Sequence, residues 1–319
     1  MALYALKRFG AVLLILVVMS VLVFLATHAL PANTAALILG QYSTPETQAA
    51  LEHKLGLDLP LPVQYWYWAR GILLHGDLGK SLVMERPIAP ILWDALSKSA
   101  VLAGAAMAVV STVGLAMGVV AAVRRGRWPD HTVSIFAYVG VSVPEFYWGL
   151  VLILVFGSTL RLLPTSGAAT LSDGAGEFLA HLVLPVITLT LTLLAHVSRL
   201  TRSSMIEVLD STYVKVARAR GLPERVVIMH HALRNALLPS ITVLAQDFGF
   251  LIGGIVAVET IFAYPGLGRM LIFSLERQDL PLMQAAILVL TAVYCVANLT
   301  ADLLYGVFNP RIRYGGAVE

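Results

Sequence analysis

Apolar runs long enough to cross a lipid bilayer recur from one end of this chain to the other, and that recurrence decides most of what it can fold into. A helix crossing the hydrocarbon core needs about 20 consecutive, mostly apolar residues. Six stretches qualify: Phe9–Leu30, Ala100–Val123, Val133–Ser158, Phe178–Ser198, Leu237–Phe262 and Leu282–Phe308. The first follows Lys7 and Arg8 and imitates a secretion signal, but it is longer than the roughly 7–15 residues of a signal core, so it reads as an uncleaved helix. With 58% apolar and only 13% charged residues in 319, no water-soluble half large enough for a catalytic domain is left over. The expectation is an all-α polytopic membrane protein with six transmembrane helices, its partner being the lipid bilayer.

Six crossings put both termini on one side, and the basic residues say which. Fourteen of the 22 Lys and Arg fall on the side of the termini, including the short Arg124-Arg125-Gly126-Arg127 turn. Short loops follow the positive-inside rule most strictly, so the termini are expected in the cytoplasm. The chain then divides into a tail and first helix (1–30), an extracytoplasmic segment (31–98), a five-helix core (99–308) with a cytoplasmic loop at 199–238, and a cytoplasmic tail (309–319). The basic balance, with an isoelectric point near 9.0, is accounted for by topology, and no nucleic acid is implied. In the outer segment the Tyr65-Trp66-Tyr67-Trp68 run reads first as an interfacial aromatic belt, with a ligand platform as the rarer alternative. The lone Cys295 excludes an internal disulfide.

The cytoplasmic loop has its own helical grammar. Asp210, Ser211 and Thr212 offer caps, Tyr213–Arg220 reads as a short helix, and Gly221 supplies a left-handed stop. Pro223 then opens a second helix with Glu224 in its first turn. Helix, glycine turn and helix make an elbow shaped to enter a groove on a soluble partner, although spacing alone allows an ordinary solvated loop. His230 and His231 are neighbours about 100° apart on a helix and do not make a shared metal site.

Ionisable residues inside spans are costly enough to be functional suspects. Glu145 in the third span, Asp247 in the fifth and Asp302 in the sixth are therefore candidates for a translocation pathway, with structural pairing as the alternative for each. Gly249, Gly253 and Gly254 offer small faces for close helix packing. Pro265-Gly266 ends the fifth span sharply and is a candidate outer gate.

Tyr213-Val-Lys-Val-Ala-Arg-Ala-Arg-Gly221-Leu-Pro, followed by His231-Ala-Leu-Arg-Asn-Ala-Leu-Leu-Pro239, resembles the "EAA" coupling loop of binding-protein-dependent ABC permeases, in particular the dipeptide, oligopeptide and nickel branch. The resemblance runs through Leu55-Gly-Leu-Asp58, Pro62-Val-Gln-Tyr65, Gly76-Asp-Leu-Gly79, Ser142-Val-Pro-Glu-Phe146 and Leu163-Pro-Thr-Ser-Gly167. It continues with Glu259-Thr-Ile-Phe262, Pro265-Gly-Leu-Gly268, Asp279-Leu-Pro281 and Asn309-Pro-Arg-Ile-Arg313. The family glutamate and first alanine are replaced by Lys215 and Val216, and Arg234 stands where many permeases have proline, while Ala217 and Gly221 are retained.

The resemblance implies a type I ABC importer permease fold in a bacterial inner membrane. It places Arg218, Ala219, Gly221, Leu222, Pro223, Glu224 and Arg225 nearest a separate ATPase. It further implies a second, related permease, two ATPase subunits and an extracytoplasmic solute-binding protein. Cargo would be di- or oligopeptides, with nickel chelates or glutathione-like solutes as alternatives. No Gly-x4-Gly-Lys-Ser/Thr loop occurs, so Mg-ATP belongs to the partner ATPases, and the chain is expected to bind no cofactor or metal and to catalyse nothing itself. A rival secondary transporter or channel would show inverted repeats, and no convincing pair of halves is visible. A membrane enzyme would need a motif such as His-Glu-x-x-His, which is missing.

Overall fold

A computed structural model describes residues 2–29, 44–55 and 58–308; the Asn309–Arg313 pattern, the 309–319 tail and the start of the 31–98 segment fall outside them. Apart from one isolated bridge between Lys80 and Pro87, the regular structure among the described residues is helical. In chain order the helices are α1 (Ala2–Ala29), α2 (Pro45–Leu55), α3 (Leu61–His75), α4 (Ile88–Val109), α5 (Leu115–Val123), α6 (Trp128–Ser142) and α7 (Glu145–Leu152). They continue as α8 (Ala175–Leu209), α9 (Thr212–Ala219), α10 (Leu233–Ile261), α11 (Leu267–Glu276) and α12 (Leu280–Phe308). A π-helical turn, Val110–Gly114, joins α4 to α5.

Among the described residues four helical stretches are long and apolar enough to cross a membrane: Leu6–Ala29, Ile88–Val123, Ala175–Leu209 and Leu280–Leu303. Two bent pairs bring the total to six if each is one span. The third expected span is not one straight helix, because α6 and α7 meet at 104°. The cause is local: Pro144 has no N–H to donate and disfavours helical backbone in the residue before it, and Val143 is extended at φ −110°, ψ 127°. The second span begins earlier than its apolar run and the fourth continues past it to Leu209, since a helix does not stop where hydrophobicity does.

The chain forms two compact units. One comprises residues 1–8, 99–265 and 294–319. Its core gathers Leu102, Ala106 and Val110 with Leu189, Leu193 and Val197 of α8 and Leu251, Ile255 and Val258 of α10. Glycines let neighbouring helices approach α8 at backbone distance. A Cβ on Gly118 would lie 2.5 Å from Thr201 Cβ and 2.6 Å from the Ser198 carbonyl, and one on Gly140 would lie 3.1 Å from the Leu191 carbonyl. A larger residue has to push α5 off α8. Gly118→Leu is expected to lose about 1–3 kcal/mol by overpacking, seen as a lower unfolding midpoint in detergent; an unchanged midpoint would disprove the contact.

The other unit comprises residues 9–98 and 266–293. Ile88 and Leu92 pack on Leu267, Leu282, Ala285 and Ala286. Tyr65 and Trp68 of α3 set their rings 5.5 and 5.7 Å from Phe24 of α1, whereas Trp66 and Tyr67 are exposed. Half of the aromatic run is thus half-buried against α1 and half is exposed. Asp279, fully buried, accepts hydrogen bonds from Ser81 Oγ (2.5 Å) and from the backbone N–H groups of Leu82 (3.2 Å), Val83 (3.2 Å) and Leu282 (3.3 Å). One carboxylate therefore both caps α12 and holds the loop before α4.

Candidate coupling elbow and intramembrane carboxylates

The elbow forms as its residues demand. α9 runs from Thr212 to Ala219, Ser211 stands extended before it, and Gly221 turns the chain at φ +78° with its N–H donated to the Arg218 carbonyl at 2.9 Å. The Ser211 hydroxyl does not cap α9; it donates back to the Val208 carbonyl. Pro223, also extended, precedes a single turn at Glu224–Val226, and the chain then widens into a π-helical stretch, Val227–Ala232, before α10. The second helix is therefore shorter and wider than expected.

A closed apolar core lies under this turn. Val214 and Ala217 of α9, Val227 and Ala232 of the π-stretch, Met205 of α8, Ala236 of α10 and Ala122 of α5 are all buried together. On the outside, Arg218, Ala219, Gly221, Leu222, Pro223, Glu224 and Arg225 are exposed, and with them the large apolar side chains of Tyr213, Val216 and Met229. Arg218 forks onto Glu224 through Nη2–Oε1 at 2.7 Å and Nε–Oε2 at 3.2 Å, closing the turn from outside. The Glu224 carboxylate holds the Arg218 guanidinium above its ordinary value, so the pair stays charged. Exposed as it is, the pair contributes at most about 1 kcal/mol and serves to fix shape. Arg125 reaches Asp210 at 3.2 Å, and Tyr213 accepts a hydrogen bond from Asn235 Nδ2 at 3.0 Å, tying α9 to α10.

The three carboxylates part company. Asp302 pairs with Arg8 at 3.0 Å and has a structural partner. Asp247 is buried, with one oxygen 3.3 Å from His196 Nδ1 and the other, Oδ2, without a hydrogen-bond partner. Glu145, in the first turn of α7, lies against Gly254, where even a Cβ would come within 2.5 Å of its Oε1. Among the described residues no ion pair to Glu145 is found. Glu145 thus lies against α10, Asp247 belongs to α10 itself, and Asp302 of α12 is held by Arg8. Gly249 is filled by Asn298, 2.9 Å from where a Cβ would sit, and Gly253 faces open space. Gly266, buried and extended at φ −96°, ψ −176°, opens α11 directly after Pro265, whereas α10 has already ended at Ile261 and the chain turns at Ala263, φ +46°.

Sequence reasoning did not find the partners His196 and Arg8, nor the bidentate pair of Arg202 with buried Asp130, which also accepts the Gly126 N–H. Asp130 in the first turn after Arg124-Arg125-Gly126-Arg127 was the available signal: a carboxylate placed among so many cations is poised to pair. Among the described residues no cluster of three or more His, Cys, Asp or Glu could hold a metal ion.

Comparison with known proteins gives the same architecture a lineage. Residues 114–314 match the family described as binding-protein-dependent transport system inner membrane component, and residues 1–108 match the N-terminal model of such membrane components. The chain is 35% identical over 314 residues to a probable peptide ABC transporter permease protein, y4tP, of Sinorhizobium fredii, covering 98% of this chain and 100% of that one. It is 39% identical over 311 residues to the glutathione transport system permease protein GsiC of Escherichia coli K12, covering 98% and 99%. Among solved structures it resembles an amino acid ABC transporter crystallised with histidines, with TM-score 0.50, 18% identity and coverage of 70% and 94%, a likeness of fold alone. The chain belongs to the binding-protein-dependent transport system inner membrane components, the multi-pass permeases of ABC importers.

Proposed function

We propose that this permease carries small peptides, glutathione-type peptides included, through the inner membrane, driven by ATP hydrolysis in separate subunits docked on the elbow. The observation that carries the coupling role is the two-sided build of that elbow. Its outer surface, Arg218 to Arg225 throughout, is exposed, while its inner face is a closed core shared with α5, α8 and α10. A push on the outside therefore moves two long helices as one body, because packed cores shift as units rather than deform continuously. The full assembly pairs this chain with a second, related permease, two ATPases that bind Mg-ATP, and an external solute-binding protein. In it the termini lie in the cytoplasm, residues 31–98 lie outside, and the Pro265-Gly266 turn serves the outer gate. The peptide assignment rests on the names of the relatives.

The test is ATP hydrolysis by the complex reconstituted in liposomes, with the binding protein loaded in turn with dialanine, a tetrapeptide, glutathione or a nickel chelate. Hydrolysis stimulated by a peptide is the expected result. Stimulation by the nickel chelate alone would overturn the cargo, and uptake without any ATPase would overturn the mechanism.

A further inference from the structure

A helix face turned to lipid is apolar, and one turned to water in a transporter is polar or small. Within the unit formed by residues 1–8, 99–265 and 294–319 the helices differ sharply by this criterion. α6 and α7 expose Ile135, Val139, Phe146 and Leu150. α8 exposes apolar side chains only as far as Ile187; beyond it the exposed positions are His196, Arg199, Ser203 and Glu207, one face of the helix at spacings of three and four. On α10 the sole large apolar side chain exposed among the described residues is Leu238, and its open face runs through Asn235, Gln246, Gly253 and Thr260, with Thr242 half-buried between them. The His196–Asp247 contact joins the two polar faces.

Charge is also unbalanced along this surface. Arg202 is neutralised by Asp130, but Arg199, one turn away, has no ion pair among the described residues. With the Ser134 and Tyr138 side chains it lines a cavity of about 50 Å³, room for a carboxylate and little more. Arg199 follows His196 by three residues, about 4.5 Å along the helix axis. Asp247, at least nine-tenths buried, keeps one oxygen unpartnered beside the half-exposed His196.

Building on the permease function above, we propose that the polar faces of α8 and α10 form the wet wall of the translocation pathway. In that wall Arg199 receives a cargo carboxylate, while the Asp247–His196 pair receives its ammonium end. The site is thereby selective for zwitterions whose opposite charges sit about one helical turn apart or farther. No bond is made or broken; the wall substitutes fixed charges for water around a solute that cannot enter lipid.

The test uses the assembled complex. Cys295 is the single cysteine of the chain and is buried, so Cys295→Ala gives a clean background. Single cysteines at Ser203, Thr242 and Gln246 are expected to react with a membrane-impermeant thiol reagent at least tenfold faster than cysteines at Ile135 and Leu150, and to be slowed by cargo. If those three are as unreactive as the controls, with and without ATP, the surface faces lipid or another subunit and the proposal is wrong. Arg199→Gln is then compared with native protein, using whichever of dialanine or glutathione drives native hydrolysis and the C-terminal amide of the same peptide. The ratio of free acid to amide uptake, taken with one binding protein, is expected to fall at least tenfold in the variant and to recover in part with Arg199→Lys. An unchanged ratio overturns the carboxylate assignment; if anionic lipid also alters uptake of both cargoes only in native protein, Arg199 holds a lipid phosphate instead. Peptide-stimulated hydrolysis in the native complex is the control that separates this failure from failure of the permease function itself.

Discussion

Gly221→Pro is expected to uncouple the transporter, lowering cargo-stimulated ATP hydrolysis and uptake at least tenfold while the complex still assembles. The argument is geometric. Gly221 stands at φ +78°, and proline is confined near φ −65°, so the turn cannot form around it. Proline also removes the N–H that Gly221 donates to the Arg218 carbonyl. Arg218 and Glu224 then lose the geometry of their two-point contact, and the exposed surface changes shape. The apolar residues beneath, Val214, Ala217, Val227 and Ala232, are not touched, which is why assembly should survive. Gly221→Ala separates shape from space. A Cβ there meets nothing within 4 Å, so alanine costs only left-handed backbone strain, about 1–2 kcal/mol, and should uncouple partially. Native transport by Gly221→Pro would show that the turn transmits nothing.

Asp279→Ala should be strongly destabilising, by roughly 4 kcal/mol or more, because four donors lose their acceptor. Its carboxylate satisfies the Ser81 hydroxyl and three backbone N–H groups in a fully buried position. Each donor left unsatisfied costs about 1–3 kcal/mol. Alanine supplies no acceptor, and Asp279→Asn keeps one oxygen, so the order of unfolding midpoints in detergent should be native, then Asn, then Ala. An alanine variant with native midpoint and native accumulation in the membrane would mean that water replaces the carboxylate.

Much of this was legible in the sequence because the relevant forces act locally. Length and hydropathy predicted spans, and the left-handed turn at Gly221 followed from its place after a short amphipathic helix. The break at Val143-Pro144 was visible as a proline but was read within a continuous span, since apolar composition does not record direction. What could not be read was pairing across distance. That Asp302 meets Arg8, Asp247 meets His196 and Arg202 meets Asp130 depends on which helices pack together, and one sequence carries no such coordinate. The polar face of α8 was hidden for a related reason: Arg199 and Ser203 were assigned to the loop at 199–238 because the apolar run ends at Ser198, yet the helix continues to Leu209.

The hydrogen bonds that close the unit of residues 9–98 and 266–293 join distant parts of the polypeptide: Thr27 to Gln284, separated by 257 residues, and Ser81 to Asp279, separated by 198. A ribosome makes these partners in order, so the early ones are synthesised long before the late ones exist. Until residue 279 has been synthesised, Ser81, Leu82 and Val83 have no Asp279 carboxylate to bind. Completion of this part of the protein is therefore tied to biosynthesis of the last membrane helix, and a chain interrupted earlier lacks the contacts that finish it.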